Sequence, residues 1–247
     1  MLKVTNLTKD FGRSRIINRP SFEVGKDEIL SLVGPNGAGK TTLVNLISGH
    51  IKVTGGIIEF LGQDITFASP YRRIKMGLAR NFQITNLFEN GTVLDNIRIC
   101  LFSNYGKIRR GILPATHYKA ITEEATELLD IFGIGNKEKL FPPSLSEGDK
   151  KILDTAMAFA LKPKLLLLDE PTSGVATGDK FKVMDTIVAA IKKEQVACMI
   201  IEHDMDIVSD YTDRVLVLAE GNIIADGKPK DIMAESNVKE ILFGVRD

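Results

Sequence analysis

The chain has 247 residues, 44% of them hydrophobic and 26% charged, enough apolar material for one sizeable core with room for a small subdomain. Lysine plus arginine equal aspartate plus glutamate at 32 each, so no basic excess argues for nucleic acid as a partner. No apolar run reaches the roughly 18 to 20 residues that cross a bilayer. The opening MLKVTNLTKDFG lacks the apolar stretch of a secretory signal, so a chain that stays in the cytoplasm is expected. Cys100 and Cys198 sit in apolar surroundings with no close spacing, which reads as inert thiols in a reducing compartment.

In chain order, the run EILSLV at 28–33 predicts a buried strand. A Gly-rich turn from Gly34 follows, then a helix carrying Leu43, Val44, Leu46 and Ile47 and ending near Gly49. Residues 84–161 read as helix-rich and strand-poor, with helices over 120–132 and 149–161 and a loop over 102–117. KLLLL at 164–168 and ACMIIE at 197–202 are two further strands, and 215–219 with 222–225 form a hairpin around Gly221. Strands alternating with helices predict an α/β protein with a helical insertion.

Gly34, Pro35, Asn36, Gly37, Ala38, Gly39, Lys40, Thr41 and Thr42 fit G-x-x-x-x-G-K-[ST] between a strand and a helix. The glycines let backbone N–H groups turn toward phosphate oxygens, and the helix start adds unpaired donors and the positive end of its dipole. Lys40 is expected to reach the β- and γ-phosphates, and the Thr41 hydroxyl to hold Mg²⁺. Four leucines run into Asp169, Glu170 and Pro171. A run this apolar is a strand buried on both faces, so the two carboxylates emerge at its carboxyl end, where ligands bind in open α/β sheets. Asp169 is assigned to Mg²⁺ and Glu170 to the proton of an attacking water. His203 follows ACMIIE, so it stands at another strand's carboxyl end, placed to hydrogen-bond a γ-phosphate.

The order GPNGAGKTT, NFQ, LSEGD, LLLLDEPTSG and IIEHD resembles the ATPase subunits of ABC transporters along essentially the whole chain. The resemblance implies a RecA-like P-loop NTPase core with an N-terminal antiparallel β portion, over about 1–83 and 163–247. A helical subdomain over about 84–162 is implied to be inserted in it. It further implies a head-to-tail dimer, as a homodimer or with a related ATPase subunit. Each ATP would lie between one cradle and Ser146, Glu147 and Gly148 of the other chain. Phe11 stands where the family stacks an aromatic on adenine, and Gln83 where a glutamine touches Mg²⁺ and the attacking water. Separate transmembrane permease subunits are implied as partners, with a solute-binding protein acting through them. The ATPase would then sit on the inner face of the cell membrane, docked through a patch near Ile84, Leu87 and Phe88. GLARNFQITNLFENGTVLDNI, DEPTSGV and the tail NVKEILFGVRD are most similar to the branched-chain amino-acid importer type. Urea or amide importers and lipopolysaccharide-export ATPases share much of this pattern.

Two departures stand out. The family's usual LSGGQ reads Leu145-Ser146-Glu147-Gly148-Asp149, and Ala176 replaces an aspartate that many members carry. Ser146-x-x-Asp149 has capping-box spacing, yet anions at a helix start that faces ATP are expected to repel it, by on the order of 1 kcal/mol. Rival readings lack their marks. A non-transport ABC ATPase would show long heptad arms or two cassettes, and a scaffold without turnover would lack Lys40 or Glu170. A small-molecule kinase has no use for LSEGD. A GTPase needs N-K-x-D, and Asn136-Lys137-Glu138-Lys139 fails at its last position.

Overall fold

The computed structural model describes residues 1–81, 87–105 and 119–243. The first half runs β1 (Leu2–Phe11), β2 (Ser14–Asn18), β3 (Phe22–Val24), β4 (Ile29–Val33), α1 (Lys40–Ser48), β5 (Gly55–Phe60), β6 (Gln63–Asp64), α2 (Pro70–Met76) and β7 (Leu78–Arg80). There follow α3 (Val93–Asn104), α4 (Lys119–Ile131), α5 (Glu147–Phe159), β8 (Leu165–Asp169), α6 (Lys180–Lys193) and β9 (Ala197–Ile201). The chain then continues through α7 (Met205–Tyr211), β10 (Arg214–Ala219), β11 (Asn222–Gly227), α8 (Pro229–Ala234) and α9 (Ser236–Phe243).

Among the described residues the strands form two sheets. One is antiparallel, in order β2-β1-β5-β6 with β3 also on β1. In β1, Leu2 and Val4 point inward, and then Asn6 (φ 46°) breaks the register so that Leu7 takes the inward place. The other sheet runs β11-β10-β4-β9-β8-β7, parallel except for the edge strand β11. Its central strands are buried throughout because both faces are covered, and they are apolar except for Ser31, whose hydroxyl donates to the Ile200 carbonyl, and Asp169 at the end of β8. In β8, Leu165 and Leu167 enter the core shared with the antiparallel sheet and α1, while Leu166 and Leu168 enter the core built with α3 to α6. The same alternation splits β9, with Ala197, Met199 and Ile201 on the first side and Cys198 and Ile200 on the second. A third, smaller core packs Val208, Ile232 and Val238 against Val215 and Val217 of β10.

The strands expected at 28–33, 164–168 and 197–202, the hairpin around Gly221 and the helix ending at Gly49 are all present, within a residue or two at their ends. Three boundaries move. α3 continues through Phe102 to Asn104, so the expected loop starts later, and its remaining stretch at 106–117 lies outside the described residues. α5 begins at Glu147, two residues before its expected start, because Ser146 caps it. Lys40 is the first residue of α1 rather than part of the loop. Behind the cradle, the fully buried Arg73 donates to the carbonyls of Leu46 and Ile47 at the C-terminal end of α1, and to Ala68 and Thr66. A cation there complements the helix dipole. Burial pushes the Arg73 guanidinium down to about 10, with the Asp64 charge acting against it.

Candidate active site

β4 delivers the chain into the cradle at the middle of the parallel sheet. A Cβ on Gly34 would lie 2.1 Å from the Leu218 carbonyl oxygen, so the turn passes β10 only with glycine. Gly39 (φ 103°) precedes α1 as its cap, with no side chain hydrogen-bonding the first turn. The helix's leading N–H groups are therefore open to an anion. The Gly221 amide donates to the Ala38 carbonyl at 3.1 Å, so the late hairpin pins the cradle from outside. Lys40 is buried, and its Nζ donates to the carbonyls of Gly34 at 2.6 Å and Pro35 at 3.0 Å. Burial pushes its ammonium below the ordinary value, while the charges of Glu170 and Asp169 push it back up.

The acidic pair ends β8 beside the cradle. Asp169 is 1% exposed, and its Oδ2 accepts from Arg80 Nη2 at 2.7 Å. Glu170 takes a left-handed backbone (φ 51°), strained for a residue with a side chain. Its amide donates to the Ile201 carbonyl at 3.0 Å, and its own carbonyl accepts from Ser173 N at 3.1 Å and Lys151 Nζ at 3.3 Å. These bonds hold the Glu170 side chain toward His203, whose Nε2 lies 3.1 Å from Glu170 Oε1. A cavity of about 230 Å³ is lined by Asn36 to Thr42, Glu170, His203, Ile201 and Ile16.

Two contributions to the site are not assigned a role from the sequence. Ile16 of β2 reaches the cavity from the antiparallel sheet. Glu202, 4% exposed, straps the two carboxyl-end loops together. Its Oε1 accepts from Thr172 N at 3.1 Å and Thr172 Oγ1 at 2.7 Å, and its Oε2 from His203 N at 3.2 Å. In the sequence it stands within IIEHD, where only the following histidine is given a role.

Phe11 is 51% exposed at the end of β1 and does not line the cavity; Lys9 Nζ lies 4.7 Å over its ring. It is therefore not a core phenylalanine. Gln83 and Ile84 lie outside the described residues. Ser146, Glu147 and Gly148 line a second cavity together with Asp149, Val175 and Ala176, apart from the cradle. The Ser146 hydroxyl caps α5 by accepting from Asp149 N at 3.2 Å and donates to Asp149 Oδ2 at 2.7 Å. Lys137 Nζ lies 2.5 Å from the same carboxylate, and Lys150 Nζ is 2.7 Å from Glu147 Oε1. The expected exposed anions at this helix start are thus each paired with a lysine. Burial alone would raise the Asp149 carboxyl, but the bonds from Lys137 and Ser146 outweigh it and hold it below the ordinary value.

An uncapped helix start behind a glycine turn, beside carboxylates at the next strands' ends, defines a phosphate-binding α/β protein of the nucleotide-binding class. The ABC transporter family model matches residues 17–173. The chain is 34% identical to the probable branched-chain amino acid transport ATP-binding protein LivG of Archaeoglobus fulgidus, covering 100% of this chain and 96% of that one. It is 30% identical to the high-affinity LivG protein of Escherichia coli K12, covering 99% and 98%. A solved ATP-binding cassette of an ABC transporter superposes with a TM-score of 0.89 at 29% identity, over 99% of both chains. The chain belongs to the ABC transporter family, as an ATP-binding subunit that hydrolyses ATP. Its fold is that family's mixed α/β cassette with a RecA-like core. Membership implies dimerisation, membrane permease partners and a divalent metal for hydrolysis. Among the described residues no helix is long and apolar enough to cross a membrane.

Proposed function

We propose that this chain powers an importer of branched-chain amino acids or a similar small polar solute, from the cytoplasmic face of the membrane. Similarity to LivG proteins along nearly the whole chain supports the solute class. The observation that carries the mechanism is the meeting of Lys40, Glu170 and His203 on one cavity at the cradle. In this reading the amides from Asn36 to Thr42 and the Lys40 ammonium bind the phosphates, and Phe11, exposed at the end of β1, stacks on adenine. Glu170 orients a water and accepts its proton as the water oxygen bonds the γ-phosphorus. The β–γ bridging bond breaks, and ADP and phosphate leave. His203 holds the Glu170 carboxylate and reaches the γ-phosphate.

Thr41 and Asp169, with Gln83, would hold Mg²⁺. Thr41 and Asp169 offer hard oxygen donors, which suit it. Mg²⁺ is commonly held by one or two carboxylates together with substrate phosphates, whose developing charge it neutralises when bound.

The separate cavity holding Ser146, Glu147 and Gly148 supports a head-to-tail dimer, homomeric or with a related subunit, in which the signature of one chain covers the ATP of the other. The described elements between β7 and β8 are all helical, which supports an inserted helical subdomain over about 84–162. Exposed Phe88, with half-buried Leu87 beside it, supports docking of permease loops there. A cysteine at Glu89 would then cross-link to the permease, and cross-links found solely from the opposite side would refute that docking.

The central test is Glu170→Gln. Turnover should fall by about 10²- to 10⁴-fold, while ATP with Mg²⁺ still binds and gel filtration shows a trapped dimer. Turnover near that of the parent would refute the role of Glu170.

A further inference from the structure

Arg80 ends β7, paired with Leu167 of β8. Its guanidinium spans two other elements. Nη2 donates to Asp169 Oδ2 at 2.7 Å, and Nη1 donates to Asn45 Oδ1 at 2.6 Å and to Ser48 Oγ at 3.4 Å. Asn45 and Ser48 belong to α1, the helix that opens with Lys40 and Thr41. The ion pair is nearly closed to water, with the side chains of Arg80 and Asp169 8% and 2% exposed. The neighbouring Asn81 adds a second tie, its Oδ1 accepting from Asp169 N at 2.8 Å. Asp169 is thus held at its backbone and its carboxylate by two consecutive residues at the end of β7.

A buried ion pair is poor evidence of added stability, because desolvation offsets most of its attraction. This one also partly neutralises a carboxylate beside the phosphate cavity. Its geometry is more informative than its charge. Once Oδ2 is taken by a fixed guanidinium, the carboxylate cannot turn freely, and no described residue hydrogen-bonds Oδ1. The other arm fastens the same guanidinium to the cradle's helix. Only a planar fork can serve both sides; a lysine brings one nitrogen to one of them.

We propose that Arg80 is a positioning residue. It locks the Asp169 carboxylate in one orientation and ties it to α1, so that Thr41 and Asp169 keep a fixed spacing around the metal of the bound nucleotide. The proposal rests on the reading of Asp169 given above, and the experiment separates the two. The affinity of a non-hydrolysable ATP analogue is measured by calorimetry in EDTA and in Mg²⁺, and the ratio of the two gives the enhancement due to the metal. Arg80→Lys keeps the charge and loses the fork. It should leave the metal-free affinity within about twofold and shrink the enhancement by about tenfold, as loss of an outer-shell partner of a metal site does. Asn45→Ala cuts only the α1 arm and is the gentler variant, so it decides the matter if Arg80→Lys does not fold. It should shrink the enhancement by about threefold in the same direction. Asp169→Asn is the control and should abolish the enhancement. Parent-like enhancement in both brace variants, with loss in Asp169→Asn, would make Arg80 a structural ion pair and overturn the proposal. Parent-like enhancement in Asp169→Asn would instead overturn the reading of Asp169, and the brace with it.

Discussion

Glu202 offers the sharpest test of how the site is held. Its replacement by alanine removes the acceptor for the Thr172 amide, the Thr172 hydroxyl and the His203 amide. His203 is exposed, so its amide can find water, but Thr172 is only 2% exposed and its two donors stay dry. An unsatisfied buried donor costs about 1–3 kcal/mol, so the pair costs about 2–6 kcal/mol. For a chain of this size each kcal/mol lowers the melting temperature by about 2–4 °C, which predicts a drop of roughly 4–24 °C. Glu202→Gln keeps one acceptor for Thr172 but turns an amide donor toward the His203 N–H, for a loss of about 1–2 kcal/mol. Because the strap joins the loops that carry Glu170 and His203, turnover should fall in both variants by a larger factor than ATP affinity. Thermal melting and ATP titration on the same preparations check this. A Glu202→Ala protein that melts within about 1 °C of the parent and hydrolyses ATP at the parent rate would refute the strap.

Lys40→Ala should weaken ATP binding at least about tenfold, through loss of a charge-assisted contact to phosphate, while circular dichroism stays unchanged; an unaltered affinity would remove Lys40 from the cradle. Asp154 on α5 has its carboxyl pushed up to about 7 by burial, against the pull of Lys151 and Asn81. At this carboxyl the folded chain therefore keeps a proton that the unfolded one has lost between about pH 4 and 7. The Asp154 contribution to stability should fall as pH rises through that window, by up to about 4 kcal/mol, and Asp154→Asn should remove that component of the pH dependence. Equal pH dependence of melting in the two proteins would contradict it.

What the sequence made legible follows from where partners lie along the chain. β4, β8 and β9 are short runs that are apolar but for Ser31 and the terminal Asp169, and a strand covered on both faces leaves no polar phase to confuse. The cradle is contiguous, so its motif is visible and the structure closes it around one cavity. The antiparallel sheet was expected only through the family resemblance. Its strands are short and half polar, and the Asn6 break shifts the phase of β1. α3 announced its start in Thr92 and Asp95, whose side chains cap each other's backbone amides, a signal available in the sequence. Arg73, Arg80 and Glu202 could not be found that way. Arg73 reaches Leu46 and Ile47 27 and 26 residues away, Arg80 reaches Asp169 89 residues away, and Glu202 reaches Thr172 30 residues away, so those contacts form only in the folded chain. The expectation of inert thiols rests on their apolar neighbours. Burial and the nearby Asp154 charge push the Cys100 thiol up to about 12, and burial pushes Cys198 higher still.

The acidic signature is where charge counting and geometry part. Read as bare anions, Glu147 and Asp149 should repel ATP bound by the opposite chain, and Glu147→Gly with Asp149→Gln should strengthen the dimer. The structure gives each acid a lysine, at 2.7 Å from Lys150 and 2.5 Å from Lys137. Two neutralised pairs present little net charge to a phosphate, and the exposed remainder is screened within about 10 Å at 0.1 M salt. Asp149 also serves its own helix, since its carboxylate accepts from the Ser146 hydroxyl while that hydroxyl caps the Asp149 amide. Glutamine would weaken that arrangement and leave Lys137 unpaired. In a Glu170→Gln background, the double change should therefore alter ATP-induced dimerisation by less than about twofold at low salt. A twofold change corresponds to about 0.4 kcal/mol. Asp149→Gln alone keeps the Ser146 cap but loses the Lys137 ion pair and the charge on the acceptor of the Ser146 hydroxyl, which should cost about 1 kcal/mol of stability, or roughly 2–4 °C in melting temperature. Sedimentation at low and high salt reads the first outcome and thermal melting the second. Dimerisation at least about fivefold tighter at low salt, near 1 kcal/mol, would show that the lysines do not cancel the acids and restore the repulsion.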